Sequence, residues 1–176
     1  ILPLADAQKS RRTGSKATNL SRLVANHFAV PKGFILSADA YRSQLWASGA
    51  REIASAQVDA EGREAIREAI LNHDIPEDVW KAVVDAYERL SLQTGMPEPK
   101  VAVRSSALDG GADGAGFVGA YESYLNVSGL DALYIAIKRV WASLWSGKAA
   151  AYRARTKTDI EPAMAVIIQQ MLETTQ

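Results

Sequence analysis

The chain of 176 residues is 48% hydrophobic and 23% charged, proportions that are typical of a folded globular protein rather than a disordered one. It carries 20 basic and 20 acidic residues and no cysteine, which excludes disulfides, thiolate metal sites and a cysteine nucleophile and argues against broad electrostatic binding to nucleic acid. No apolar run approaches the roughly 20 residues of a membrane helix, so we expect no membrane partner. The balanced charge predicts no nucleic-acid partner, and the absence of cysteine fits a cytoplasmic location.

The first predicted elements are short helices joined by turns. Residues 14–26 predict a loop that leads into a helix with one apolar face. Residues 30–36 predict a turn and a short strand, because proline and glycine precede a run that favours extended structure. The next helix carries Tyr41, Leu45 and Trp46 at helical spacing, and we expect all four tryptophans of the chain to pack in a core or between lobes.

Two further helices precede the clearest internal boundary. The alternating charges of residues 59–71 are typical of a solvated helix face. The helix predicted from Glu77 to Thr94 has an apolar stripe and ends at Gly95, which is followed by a stiff connector with two prolines. This connector divides the chain into a helix-rich portion, residues 1–96, and a portion with a glycine loop and a sheet, residues 97–176.

The second portion opens with the strongest local signal for chemistry. A short strand at 101–103 leads into Arg104, Ser105 and Ser106, and a glycine-rich loop follows over residues 109–119. A guanidinium at a strand end can grip phosphate oxygens, the serines add hydroxyl donors, and glycines let backbone amides approach an anion. The loop fits neither the Walker pattern nor the dinucleotide fingerprint, so a flexible surface loop is the alternative interpretation.

Lys16 is the second candidate for phosphate binding. It follows Gly14 at the start of a helix, where lysine and the helix amides can contact phosphate together, although a simply solvated lysine is the alternative. His27 and His73 are the only histidines, and neither has a partner at the spacing of a metal site or a catalytic pair. The sequence therefore predicts no metal ligand within this chain.

The rest of the chain completes an α+β fold. A strand is predicted over residues 121–127, one long amphipathic helix over 130–153, and a nearly continuous apolar strand over 164–171 that is covered on both faces. We expect a helix-rich amino-terminal portion around short strands, and a mixed or antiparallel sheet covered by the long helix.

Several of these segments, in this order, resemble the amino-terminal domain of the pyruvate phosphate dikinase family, which includes phosphoenolpyruvate synthase and rifampicin phosphotransferase. The resemblance covers nearly the whole chain. The sequences of residues 104–107 and 124–127 resemble the synthase and rifampicin-enzyme branch more than the dikinase itself. The segments that carry it are residues 14–20, 30–34, 101–107, 117–119, 124–127, 142–145, 152–153 and 164–171.

The resemblance implies a partial ATP-grasp-type domain of an enzyme that cleaves ATP to AMP and phosphate. The β-phosphoryl group would pass to a histidine on a separate domain and then to a small-molecule acceptor. Position by position, the resemblance implies that Lys16 and Arg104 hold the ATP phosphates as the catalytic cations. It also implies that Gly119 and Ser123 close over the phosphates, and that the hinge strand beside the adenine includes Gln169, Met171 and Glu173.

The chain departs from the family pattern in two ways. Residues 108–111 and 120–121 replace an acidic stretch and paired glutamines, which leaves the acceptor open between pyruvate, a rifamycin and another molecule. The sequence also stops at Gln176, before the second half of an ATP-grasp domain, where the resemblance implies the magnesium ligands. The transfer histidine and the acceptor site are expected in the remaining domains of a parent enzyme, so this chain alone is expected to be inactive. The alternative is a non-catalytic half-domain that acts as a binding or regulatory module.

Overall fold

The computed structural model describes residues 1–54, 58–108, 121–156 and 162–172. A 3₁₀ helix, Leu4–Lys9, follows the first strand. In chain order, the other elements are β1 (Leu2–Pro3), α1 (Gly14–Ala25), β2 (Gly33–Leu36), α2 (Ala38–Ala47), α3 (Ala50–Ala54), α4 (Ala60–Asn72), α5 (Glu77–Thr94), β3 (Val101–Ala107), β4 (Ser123–Val127), α6 (Leu130–Ser143), α7 (Gly147–Thr156) and β5 (Met164–Gln170).

The five strands form one sheet in the order β1-β2-β5-β3-β4, and each neighbouring pair is antiparallel. The predicted α+β fold is confirmed, and the sheet is antiparallel rather than mixed. Strand β5 lies in the middle, and its residues from Met164 to Gln169 are all buried. This burial explains why its sequence is apolar at successive positions instead of alternating.

The two faces of the sheet are covered by different helices. On the main core face, Phe34, Val103 and Ile168 pack with residues from α2, α4, α5 and α6. On the opposite face, which we call the α1 face, Ile35 and Ile167 pack with residues from the 3₁₀ helix and from α1. Because alternate residues of a strand point to opposite faces, each strand contributes to both layers.

The helix termini follow local chemistry where the sequence supplies it. Helix α5 begins and ends as predicted, and Gly95 caps it in the left-handed conformation with φ of 69°. Asp59 caps α4, because its carboxylate accepts a hydrogen bond from the amide of Gly62 at 2.8 Å.

The prediction of one long helix over residues 130–153 is wrong, since a turn separates α6 from α7. Ser146 starts the new helix by accepting a hydrogen bond from the amide of Ala149 at 3.2 Å, and Gly147, a poor helix former, follows it. The turn leaves Leu144 and Trp145 buried, and the Trp145 indole donates to the Tyr41 hydroxyl at 2.7 Å. The apolar pattern therefore continues while the backbone changes direction.

The four tryptophans do not all pack as predicted. Trp141 and Trp145 are buried and Trp80 is half-buried, whereas the side chain of Trp46 is 65% exposed. Tyr41 and Leu45 are four residues apart and share one helix face, but Trp46 lies one residue further round the helix. Its ring instead lies 4.2 Å from the guanidinium of Arg51.

Candidate functional site

A buried serine of strand β3 forms hydrogen bonds with the start of α1. The Ser106 hydroxyl donates to the carbonyl of Thr13 at 2.6 Å and accepts a hydrogen bond from the amide of Ala17 at 3.1 Å. The Thr13 hydroxyl in turn donates to the carbonyl of Ala7 at 3.0 Å. These contacts link the 3₁₀ helix, α1 and β3, so they set the position of the first turn of α1 against the sheet.

Gly14 allows this close approach of helix and strand. Its φ is +73°, and a Cβ at this position would lie 2.5 Å from the Ser106 carbonyl oxygen and 2.6 Å from that of Ala107. Only glycine can combine this backbone conformation with such short contacts. The helix therefore starts directly against the end of β3.

Lys16 lies two residues after Gly14, in the first turn of α1. Its side chain is exposed, and its Nζ donates to the hydroxyl of the buried Ser105 at 3.4 Å. Ser105 is the β3 residue immediately after Arg104. The structure thus brings the ammonium of Lys16 to the part of β3 that carries Arg104.

Arg104 is half-buried and contacts a neutral partner. Its Nη1 donates to Gln169 Oε1 at 3.4 Å, and Gln169 Nε2 donates to the carbonyl of Pro31 at 3.3 Å. Within the described ranges of the chain, Arg104 forms no salt bridge with a carboxylate. Its positive charge is therefore not neutralised by the described part of the protein.

The register of the sheet places the predicted residues on one face. Arg104 lies opposite Ser123 on β4 and opposite Ile167 on β5, and Ala102 lies opposite Gln169. Partners across an antiparallel pair share a face, so Arg104, Ser123 and Gln169 all belong to the same side as Ile167. That side is the α1 face.

Tyr124, the residue after Ser123, points to the other side of the sheet. It packs against the main core, and its hydroxyl donates to Glu122. Burial, together with the hydrogen bond to Glu122 and its negative charge, raises the pKa of Tyr124 to about 12. The hydroxyl therefore stays protonated at neutral pH and helps to hold the strand that carries Ser123.

At the far end of β5, the backbone is tied to two neighbouring segments. The amide of Gln170 donates to the carbonyl of Lys32 at 2.8 Å, and the amide of Met171 donates to the carbonyl of Lys100 at 2.8 Å. Met171 is half-buried. These two amides already form hydrogen bonds within the chain, so a ligand at this end of β5 would have to use other main-chain groups.

Two predicted site residues, Gly119 and Glu173, lie outside the described residues, as does the glycine-rich loop. Among the described ones, Arg104, Ser123 and Gln169 share the α1 face, Lys16 adjoins it at the start of α1, and Met171 directly follows the end of β5. No group of three or more histidine, aspartate and glutamate side chains in the described parts of the chain is placed to hold a metal ion. Within the same residues, no helix is long and apolar enough to cross a membrane.

Ser105 and Ser106, which the sequence treats alike, have different hydrogen-bond partners in the structure. The prediction that both serines offer hydroxyl donors is wrong for Ser106, whose hydrogen is already donated to Thr13. Sequence reasoning also missed Thr13 as the residue that links α1 to the 3₁₀ helix. No local signal distinguishes these hydroxyls, because their partners lie far away in sequence.

A helix start with a lysine, next to a strand with an arginine that forms no salt bridge in the described part of the chain, is suited to phosphate groups. The fold is thus that of an α+β domain in which Lys16 and Arg104 lie on adjoining elements. The chain belongs to the pyruvate phosphate dikinase AMP/ATP-binding domain family, whose model matches residues 10–175.

Curated relatives of the chain are phosphoenolpyruvate synthases. It is 35% identical over 171 residues to that of Aeropyrum pernix, in an alignment that covers 90% of this chain and 21% of the relative. The synthase of Pyrococcus furiosus is 30% identical over 202 residues, with 90% and 25% covered. That of Helicobacter pylori is 34% identical over 161 residues, with 85% and 20% covered. The chain thus spans about a fifth to a quarter of the length of these relatives.

Proposed function

We propose that residues 1–176 form one incomplete ATP-grasp-type domain, with portions 1–96 and 97–176, that supplies part of the ATP site of a cytoplasmic phosphoenolpyruvate synthase-like phosphotransferase. The observation that carries the proposal is the half-buried Arg104, which faces the same side as Ser123 and has a neutral amide as its partner. Family membership and the names of the relatives support ATP as the ligand.

Arg104 and Lys16 would bind the phosphates from two directions. A phosphate oxygen can replace Gln169 Oε1 as the acceptor for Arg104, because a charge-assisted contact is stronger than a neutral one at 3.4 Å. Lys16 adds its ammonium from the first turn of α1, where the helix dipole also favours negative charge. The Ser123 hydroxyl, opposite Arg104, would complete the phosphate contacts on this face.

The adenine would lie toward the end of β5. The amide of Met171 donates to the carbonyl of Lys100, which lies just before β3 and four residues before Arg104. At the usual rise of a strand, four residues put Met171 about 14 Å from Arg104. This separation suits an extended nucleotide whose phosphates lie at Arg104 and whose base lies near Met171. The apolar surroundings of β5 would bury the ring.

The remaining steps belong to other parts of a longer enzyme. Carboxylates in other parts of the longer enzyme would hold Mg²⁺, which would supply charge neutralisation at the phosphates. We propose that the complete enzyme cleaves ATP to AMP and phosphate and passes the β-phosphoryl group to a histidine of another domain. The names of the relatives favour pyruvate over a rifamycin as the acceptor.

Calorimetric titration of the chain and of its Arg104→Gln variant with ATP and with AMP tests this assignment. Loss of a hydrogen bond to a charged group is expected to weaken ATP binding about 10- to 100-fold. AMP binding should change much less, because AMP lacks the β- and γ-phosphates. The matched control is Arg89→Gln on α5, an exposed arginine on a helix that packs on the main core face. Equal losses for ATP and AMP, or no loss, would contradict the assignment of Arg104.

A further inference from the structure

The side chain of Gln169 lies between two groups of opposite hydrogen-bonding character. Its Oε1 accepts from the Arg104 guanidinium at 3.4 Å, and its Nε2 donates to the Pro31 carbonyl at 3.3 Å. A guanidinium can only donate and a carbonyl can only accept, so these partners fix the orientation of the amide. Gln169 is only 6% exposed, so water competes little for either contact.

The backbone around Gln169 brings its two partners within reach. Gln169 pairs with Gly33 on β2 and with Ala102 on β3, neither of which has a charged side chain. A Cβ on Gly33 would lie 2.8 Å from the Cα of Gln169, so the absence of a side chain permits this close pairing. Pro31 precedes Gly33 by two residues, and its carbonyl therefore lies beside the amide.

We propose that Gln169 is a positioning residue for Arg104, which it holds on the α1 face through a neutral amide that leaves the guanidinium charge available to an ATP phosphate. The inference rests on the proposed role of Arg104 in phosphate binding. A glutamate at this place would be a stronger acceptor, but its charge would neutralise the guanidinium and compete with the phosphate. The long contact with an amide is readily exchanged for a shorter one with an anion.

The decisive variant is Gln169→Glu, which has nearly the same shape. When ionised, the introduced carboxylate pairs with Arg104 and sets an oxygen against the Pro31 carbonyl. This pairing stabilises the charged form of the carboxylate, so the variant is ionised at neutral pH. We therefore expect the Kd of the variant for ATP at neutral pH to be about tenfold higher than that of the wild type.

The control is Gln169→Met, which has similar length and introduces no charge, so it should lose less ATP affinity than Gln169→Glu. Far-UV circular dichroism shows that the proteins compared are folded. A Gln169→Glu variant that binds ATP as tightly as the wild type would overturn the proposal.

The methionine variant supplies a second readout that does not need the glutamate variant to fold. Without the amide, Arg104 is no longer held on the α1 face, and the preference for ATP over AMP is expected to fall severalfold. An unchanged preference would overturn the proposal. The Arg104→Gln titration separates the two ideas: if that variant loses ATP affinity while both Gln169 variants behave as wild type, only the role of Gln169 is refuted.

Discussion

Replacement of Gly14 by alanine tests how tightly the start of α1 is held against β3. The added Cβ would lie 2.5 Å from the Ser106 carbonyl oxygen, a backbone atom that cannot move without shifting the strand. Alanine at a φ of +73° also carries about 1–2 kcal/mol of backbone strain. Relief of the contact would pull α1 away and weaken the bonds that Ser106 makes with Thr13 and Ala17, at about 1 kcal/mol each.

We therefore expect Gly14→Ala to lower the free energy of unfolding by about 3–4 kcal/mol, a large part of the total stability of a domain of this size. Urea denaturation followed by circular dichroism measures the loss. Gly95→Ala is the matched control, because Gly95 has a φ of +69° and nothing within 4 Å of its Cβ position. It should cost only the strain. If Gly14→Ala costs no more than Gly95→Ala, the close contact with β3 is not what requires glycine at position 14.

The other two predictions concern Ser106 and Tyr124. Ser106→Ala leaves the buried carbonyl of Thr13 and the amide of Ala17 without their partner, so urea denaturation should show that the free energy of unfolding falls by about 1–3 kcal/mol. The control is Ser15→Ala, at an exposed serine of the same helix. If Ser106→Ala costs less stability than this control, Ser106 does not link α1 to β3. The folded-state pKa of Tyr124, about 12, lies above its unfolded value of 10.0, so its contribution to stability is complete below pH 10 and is lost as the pH rises from 10 towards 12. The difference in unfolding free energy between wild type and Tyr124→Phe should be constant up to about pH 9 and decrease above pH 10, and a flat difference up to pH 11 would contradict this pKa assignment.

Features that depend on neighbouring residues could be predicted from the sequence. Helix α5 has the predicted limits because its apolar spacing and the glycine that ends it are both local signals. Strand β5 was recognisable because a strand covered on both faces is apolar at successive positions. Lys16 follows Gly14 and Arg104 precedes a glycine-rich loop, so both cations are recognisable in the sequence as candidates for phosphate binding. The order of the surrounding motifs indicates the family whose model matches residues 10–175.

Features that depend on distant partners could not be predicted in this way. The apolar pattern of residues 130–153 runs through the turn between α6 and α7, because Leu144 and Trp145 stay buried although the backbone is no longer helical. Trp46 is apolar but exposed, because its position on the helix, and not its side chain type, determines whether it faces the core. In both cases, composition reports how apolar a residue is but not where the rest of the chain lies.

The same distinction divides the candidate site. The residue types that can bind phosphate are visible in the sequence, because charge and hydroxyl groups are properties of single side chains. The pairing of Arg104 with Ser123 across β3 and β4, and the contact of Arg104 with Gln169, arise from the register of the sheet. Since a shift of one residue would send these side chains to the opposite face, only the tertiary structure decides that they lie together on one face of the sheet.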